Sequence, residues 1–281
     1  MIELYTKVGN RIFKIEDDPF MKFPGGELHM KAEPKTFGGK EIAWVSGTDL
    51  EDYIKLAMWS DTVEYQGGES HAIIPYLPAA RGDKDVPAGA AIYSELIAIS
   101  RNLSSISYVD AHSQVMPDYL KTRLPGIPHR HYESHLIIPE TGIDIQTVIA
   151  PDKGAATRAA QWAEKLNAPL VQAGKTRDPK TGKLSGFECE EFDLPDYSNV
   201  LIVDDICDGG GTFVGLVDHL KALDTKYRLL KFYLFTTHGI YSHGTAQLRS
   251  RFSELWTTNT LESSSNASYV LDIKSELLKG I

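Results

Sequence analysis

The chain has 281 residues, room for two compact domains or one large one, and 42% of them are hydrophobic, enough for a packed core. A net charge of −9 argues against a broad nucleic-acid or anionic-membrane surface, so any polyphosphate must be held by local cations and metal. Two cysteines, Cys189 and Cys207, make no CxxC motif, no secretory leader is evident and no apolar run reaches membrane-spanning length, which points to a reducing, cytoplasmic setting.

In chain order, residues 1–8 and 10–15 predict a hairpin about Gly9 and Asn10. The glycine-flanked segment Phe23 to Glu27 precedes an alternating stretch, Leu28 to Lys31. A strand from Glu41 to Val45 leads to a helix from about Asp49 to Ser60. A second strand, His71 to Pro75, runs into a loop from Tyr76 to Pro87, and Ala88 to Asn102 reads as a helix. The strand Ile106 to Val109 carries Asp110, His112 and Ser113 at its tip. Residues 113–140 are rich in proline and histidine and read as an irregular join between two halves. The second half repeats the pattern: strand Thr147 to Ala150, tip Asp152 to Gly154, and a helix ending at Leu166. Leu170 to Gln172 leads into a polar stretch, Gly174 to Ser185, expected as a mobile loop. Strands at Leu230 to Phe235, Leu255 to Thr257 and Tyr269 to Ile273 follow, and a short helix closes the chain. Buried strands that end in acidic or histidine residues before a helix imply mainly parallel sheets covered on both faces, with ligands beyond the carboxyl ends of the strands.

The most informative stretch is NVLIVDDICDGGGTF, from Asn199 to Phe213. Val200 to Val203 suit a strand buried on both faces, and Phe213, Leu216, Val217 and Leu220 recur at helical spacing. Between them lie Asp204, Asp205 and Asp208, then Gly209, Gly210, Gly211 and Thr212. Glycines bring backbone N–H groups close to a ligand, and a helix N-terminus favours phosphate. The carboxylates would repel bare phosphate, so they suit ribose hydroxyls or a magnesium ion shared with phosphates. A sugar phosphate with a metal nearby is the expected ligand. An ordinary strand-to-helix turn is the plainer alternative, and the string is neither a P-loop nor a dinucleotide fingerprint.

Other groups are ambiguous taken singly. His112 can ligate a metal or sit as a capped structural histidine. Asp152 can take magnesium or cap a helix. Lys175 and Arg177 can fold over a transferring phosphoryl group or be solvated loop cations. Arg81, with Asp83 and Lys84, can grip phosphates or be a surface charge cluster. Phe23 is ordinarily core, and His238 ordinarily buried and hydrogen-bonded.

Several blocks together resemble the ribose-phosphate pyrophosphokinase (PRPP synthetase) family, in its order: KFPGGE (22–27), IIPYLPAARGDK (73–84), VDAHS (109–113), APDKGAATR (150–158), GKTRD (174–178), VDDICDGGGT (203–212), THGIYS (237–242) and TNT (258–260). The resemblance spans nearly the whole chain. It implies an α/β fold of two type I phosphoribosyltransferase-like, doubly wound domains, expected at residues 1–140 and 141–281. It implies transfer of pyrophosphate from ATP to the anomeric hydroxyl of ribose 5-phosphate with Mg2+, by homodimers or homohexamers. By resemblance, Phe23, Glu27, Arg81, Asp83, Lys84 and His112 serve the nucleotide, and His112 and Asp152 the metal. Lys175 and Arg177 belong to the catalytic loop, with His112 beside the chemistry. Asp204 and Asp205 face the ribose hydroxyls, and Asp208, Gly209, Gly210, Gly211 and Thr212 the 5-phosphate.

The chain departs from the family in three ways. It reaches Phe23 early, so the usual first helix is lost or reduced. Gly25 and Gly82 replace side chains at the implied ATP site. The triple glycine widens the sugar-phosphate loop. The last point keeps open ADP-ribose as acceptor, the substrate of some phage-encoded relatives that rebuild NAD. A non-catalytic regulatory paralogue is a further alternative, which the intact set His112, Asp152, Lys175, Arg177, Asp204 and Asp205 disfavours. A PRPP-consuming phosphoribosyltransferase would need a base-binding hood that the sequence does not suggest.

Overall fold

The structure, a computed structural model, describes residues 1–31, 36–84, 88–138, 142–177 and 184–281, with the backbone alone at Arg177, Leu184 and Ser185. It divides into two compact units, Met1–Glu133 with Ile273–Ile281, and Ser134–Asp272. The final segment therefore belongs with the first unit, not with the second half where the sequence reading put it.

The first unit contains β1 (Ile2–Val8), β2 (Arg11–Lys14), β3 (Phe20–Lys22), β4 (Leu28–Met30), β5 (Lys40–Val45), α1 (Leu50–Tyr65), β6 (Glu69–Ile73), α2 (Gly89–Ala98), β7 (Ser105–Val109), α3 (Val115–Arg123) and β8 (His129–Tyr132). Its sheet has the order β2-β1-β5-β6-β7-β8. β5 to β8 are parallel, while β1 is antiparallel to β2 and β5. β5 and β7 are buried on both faces, which is why they read as unbroken strands. Ala43, Val45, Ile106 and Tyr108 pack with Tyr53, Leu56 and Trp59 of α1, Ile97 of α2 and Leu120 of α3.

The second unit contains α4 (Ser134–Ile137), β9 (Thr147–Ala150), α5 (Ala156–Leu166), β10 (Leu170–Arg177), β11 (Leu184–Cys189), β12 (Asn199–Cys207), α6 (Gly211–Leu223), β13 (Lys231–Gly239), α7 (Ala246–Arg249), β14 (Glu254–Thr258) and β15 (Tyr269–Leu271). Its sheet runs β11-β10-β9-β12-β13-β14-β15. Every pair is parallel except β10 with β11. β12 lies centrally between β9 and β13, and its Val200 to Val203 are fully buried. Ile149, Ile202 and Leu234 of three neighbouring strands pack with Phe213, Leu216 and Leu220 of α6. The chain then returns to the first unit as α8 (Lys274–Lys279). There Leu277 is buried, and the Lys274 ammonium lies 5.3 Å from the Tyr5 ring centre and 5.1 Å from that of Trp44.

Three sequence expectations need correction. Residues 113–140 are not irregular: α3, β8 and α4 occupy much of the span, and Pro117 is tolerated because it falls in the first turn of α3. The polar stretch 174–185 is not simply a loop. Gly174 to Arg177 extend β10 and pair with β11, from Gly174 opposite Glu188 to Arg177 opposite Leu184; residues 178–183 lie outside those described. The strand expected to end at Phe235 continues as β13 through His238 and Gly239.

Candidate active site

The second unit gathers its acidic and cationic groups at the carboxyl ends of β9, β10 and β12. Asp152 follows β9, and its Oδ1 accepts from the N–H groups of Gly154 at 2.9 Å and Ala155 at 3.2 Å. Its Oδ2 pairs with the Lys175 ammonium of β10 at 2.5 Å. Burial pushes the Asp152 carboxyl up, but the Lys175 pair and the two amides outweigh it and hold the group below the usual carboxylate range. Asp152 thus closes the turn before α5 and is a fixed acceptor paired with the Lys175 ammonium. Arg177 ends β10, and its side chain lies outside the described atoms.

At the end of β12, Asp205 is buried and Asp204 half-buried, and the Asp205 N–H donates to Asp204 Oδ1 at 2.8 Å. Burial and the adjacent Asp205 charge push the Asp204 carboxyl well above its ordinary value. Arg158 of α5 places Nη1 3.7 Å from Oδ1 of each aspartate. Arg158 ends the block APDKGAATR without any sequence signal of its role; only the packing of α5 beside β12 shows what it faces.

Asp208, Gly209 and Gly210 then turn the chain into α6. Gly210 has φ +78°, a left-handed conformation in which glycine is unstrained, and a Cβ there would lie 3.0 Å from Leu248 of α7. A Cβ on Gly209 would lie 2.8 Å from His243 Nδ1, whereas one on Gly211 would meet nothing within 4 Å. The Ser242 hydroxyl donates to Asp208 Oδ1 at 2.5 Å. Thr212 is half-buried in the first turn of α6, where backbone N–H groups lack intrahelical partners. The connection after β13 thus touches the glycine loop at three successive positions, which the sequence reading did not foresee.

The other predicted residues lie in the first unit. Phe23 and Glu27 stand at the tip of the β3–β4 hairpin, closed by Phe23 N–H to Glu27 O at 2.9 Å and Gly26 N–H to Phe23 O at 2.8 Å. Phe23 is 44% exposed, so it is not core; its ring lies 5.1 Å from that of His29. Arg81 and Lys84 are exposed in the segment after β6, and Asp83 accepts from the Ser113 hydroxyl at 2.7 Å. That bond ties the β6 segment to the tip after β7. There Asp110 is buried with φ +36° and His112 is exposed. A non-glycine residue at positive φ is strained, and strained tips concentrate at functional sites.

Two of the resembling blocks are structural within the second unit. His238 is buried with Nδ1 2.9 Å from Thr260 Oγ1, and the Thr257, Thr258 and Thr260 hydroxyls all donate to Thr237 O. Both cysteines are free, and burial pushes the Cys207 thiol up to about 12 and that of Cys189 to about 11, so neither is a ready nucleophile. Among the described residues no helix is long and apolar enough to cross a membrane.

A family model for the phosphoribosyl transferase domain matches residues 135–245. The crystal structure of phosphoribosylpyrophosphate synthetase from Mycobacterium smegmatis matches with a TM-score of 0.69 at 23% identity, covering 93% of this chain and 87% of its own. Mainly parallel sheets, acidic strand ends and an acid-to-glycine loop at a helix start therefore define the phosphoribosyltransferase class of α/β fold. The ribose-phosphate pyrophosphokinase of Saccharolobus solfataricus is 31% identical over 219 residues, 74% of each chain. That of Thermococcus kodakarensis is 28% identical over 279 residues, 96% of this chain and 93% of its own. The chain belongs to the ribose-phosphate pyrophosphokinase family of diphosphotransferases.

Proposed function

We propose that the chain transfers the β,γ-diphosphate of ATP to the anomeric hydroxyl of ribose 5-phosphate, giving PRPP and AMP. The hydroxyl oxygen attacks the β-phosphorus, the bond from that phosphorus to the bridging α,β-oxygen breaks, AMP leaves with that oxygen, and the hydroxyl proton passes to solvent. The observation that carries the reading is the continuous stretch from Asp204 to Thr212, which runs from the end of β12 through the glycine turn into the start of α6, joined to the family membership. A carboxylate pair with Asp205 buried and Asp204 half-buried suits sugar hydroxyls, and the glycine turn with the α6 N-terminus suits the 5-phosphate. Lys175, held at 2.5 Å by Asp152, supplies a positioned cation for charge developing on the transferred group. Exposed Arg81 and Lys84 in the first unit, with Phe23 on its hairpin tip, are suited to the nucleotide.

No group of three or more His, Cys, Asp or Glu side chains able to hold a metal occurs among the described residues. Magnesium takes one or two carboxylates and fills its shell with water and phosphate oxygens, so a single ionised carboxylate such as Asp152 fits it. Asp152 would hold it in the second unit and His112 in the first. When bound, the ion neutralises phosphate charge during transfer.

The test incubates the purified chain with ATP, Mg2+ and ribose 5-phosphate and measures AMP and PRPP by mass spectrometry. Both products in equal amounts are expected, and EDTA should abolish them. ADP-ribose is the second acceptor to try, favoured by the open space beside Gly211. No AMP with either acceptor would overturn the reading. Assembly into dimers or hexamers belongs to the same proposal and is read from sedimentation; the exposed Phe23 supports a nucleotide site completed by a second subunit.

A further inference from the structure

We propose that His243 is a specificity-determining ligand for the phosphoryl group at the acceptor's 5-position, and that position 209 is glycine because the His243 ring fills the space of a side chain there. The inference rests on the reading of the Asp208–Thr212 loop as the acceptor phosphate site.

Three observations carry it. First, a Cβ on Gly209 would lie 2.8 Å from His243 Nδ1 and 3.2 Å from Cε1, so the imidazole edge, with a polar nitrogen, lies directly against the loop. No positive φ demands glycine at 209; the ring alone does. Second, the segment bearing His243 is pinned to the loop on both sides. The Ser242 hydroxyl engages Asp208, Leu248 packs against Gly210, and the turn between is closed by Gly244 N–H to Tyr241 O at 2.8 Å. Third, His243 is exposed, and among the described residues neither ring nitrogen has a hydrogen-bond partner. A packing histidine needs no such position, whereas one ring nitrogen carries a proton in every tautomer and can donate it to a phosphate oxygen. The bond between Ser242 and Asp208 also gives the nearest carboxylate a donor, which lessens its repulsion of an incoming anion.

Steady-state kinetics with both acceptors test this, beside thermal shifts with inorganic phosphate alone. His243→Ala should raise the acceptor KM about tenfold or more, the loss expected for one hydrogen bond to a charged group, while kcat and the KM for ATP stay within about twofold. His243→Gln, which keeps a donor, should recover part of it. Gly209→Ala should reproduce the defect, since its methyl displaces the ring, and Gly209→Ala/His243→Ala should be no worse than His243→Ala. Phosphate should raise the melting temperature of His243→Ala less than that of the wild type. A defect with ribose 5-phosphate alone assigns the ring to a terminal phosphate, and one with ADP-ribose alone to a bridged diphosphate; both support the proposal. An unchanged acceptor KM in His243→Ala, or strictly additive effects of the two substitutions, would overturn it. If the wild type turned over neither acceptor, the proposed reaction would fall instead, and the phosphate shifts would still decide whether His243 binds.

Discussion

Lys175→Ala separates a catalytic cation from a structural one. The Lys175 ammonium lies 2.5 Å from Asp152 Oδ2, and the two side chains are 24% and 21% exposed. A pair this partly buried is worth about 1 kcal/mol, and the Asp152 carboxylate keeps its two backbone N–H donors when the lysine is gone. Stability should therefore fall by only about 1 kcal/mol, about 2–4 °C in melting temperature. If Lys175 instead meets charge that develops only during transfer, kcat should fall by about 10²–10³-fold with the KM for either substrate little changed. AMP release measured at saturating ATP and acceptor, on protein shown by its melt to be folded, gives the comparison. Equal kcat in wild type and variant would refute the role. A kcat loss fully restored by adding Asp152→Asn would mean that the lysine serves only to neutralise that carboxylate.

Further expectations follow from the same geometry. Asp152 is held below its usual carboxylate range, so the stability it contributes is present above about pH 4 and is lost as the pH falls through its lowered value in the folded protein; Asp152→Asn should flatten the acid limb of a melting-temperature profile. Asp204 is shifted the other way, so its ionisation costs stability as the pH rises from about 4 through its raised value. Asp204→Asn should raise the melting temperature at pH 7 by about 2–5 °C while weakening acceptor binding, and a drop in both would contradict the assignment. Gly210→Ala forces a side chain into φ +78° against Leu248 and should cost about 1–2 kcal/mol in urea unfolding. Gly215→Ala would set a methyl 2.5 Å from the Phe187 ring and cost about 1–3 kcal/mol, and Phe187→Ala in the same chain should relieve part of that cost.

Strands buried on both faces, such as β12 and β7, were plain in the sequence because parallel pairing at the centre of a sheet demands unbroken apolar runs. β8 was not, because its residues His129 to Tyr132 are only partly covered at the sheet's edge and carry no apolar signal. The β10–β11 ribbon was hidden for a related reason. Its lysine, glycine and threonine residues are organised by backbone pairing, and the packing of Phe187 against Gly215 joins residues far apart in the chain. At the site, the residues that follow one another along β12 and into α6 were legible. Arg158, Ser242 and His243 were not, because they come from other connections, Arg158 from α5 after β9 and Ser242 with His243 from the segment after β13, and only the order of strands brings these beside the loop.

The placement of α8 bears on the birth of the molecule. Residues 134–272 form one uninterrupted stretch, so that unit has all of its parts once they have been synthesised. The earlier-made portion does not: Leu277 and Lys274, which lies over Tyr5 and Trp44, are synthesised after residues 134–272, so the N-terminal sheet must wait for that cover. Maturation thus runs against the direction of translation, and the half made first is the half finished second.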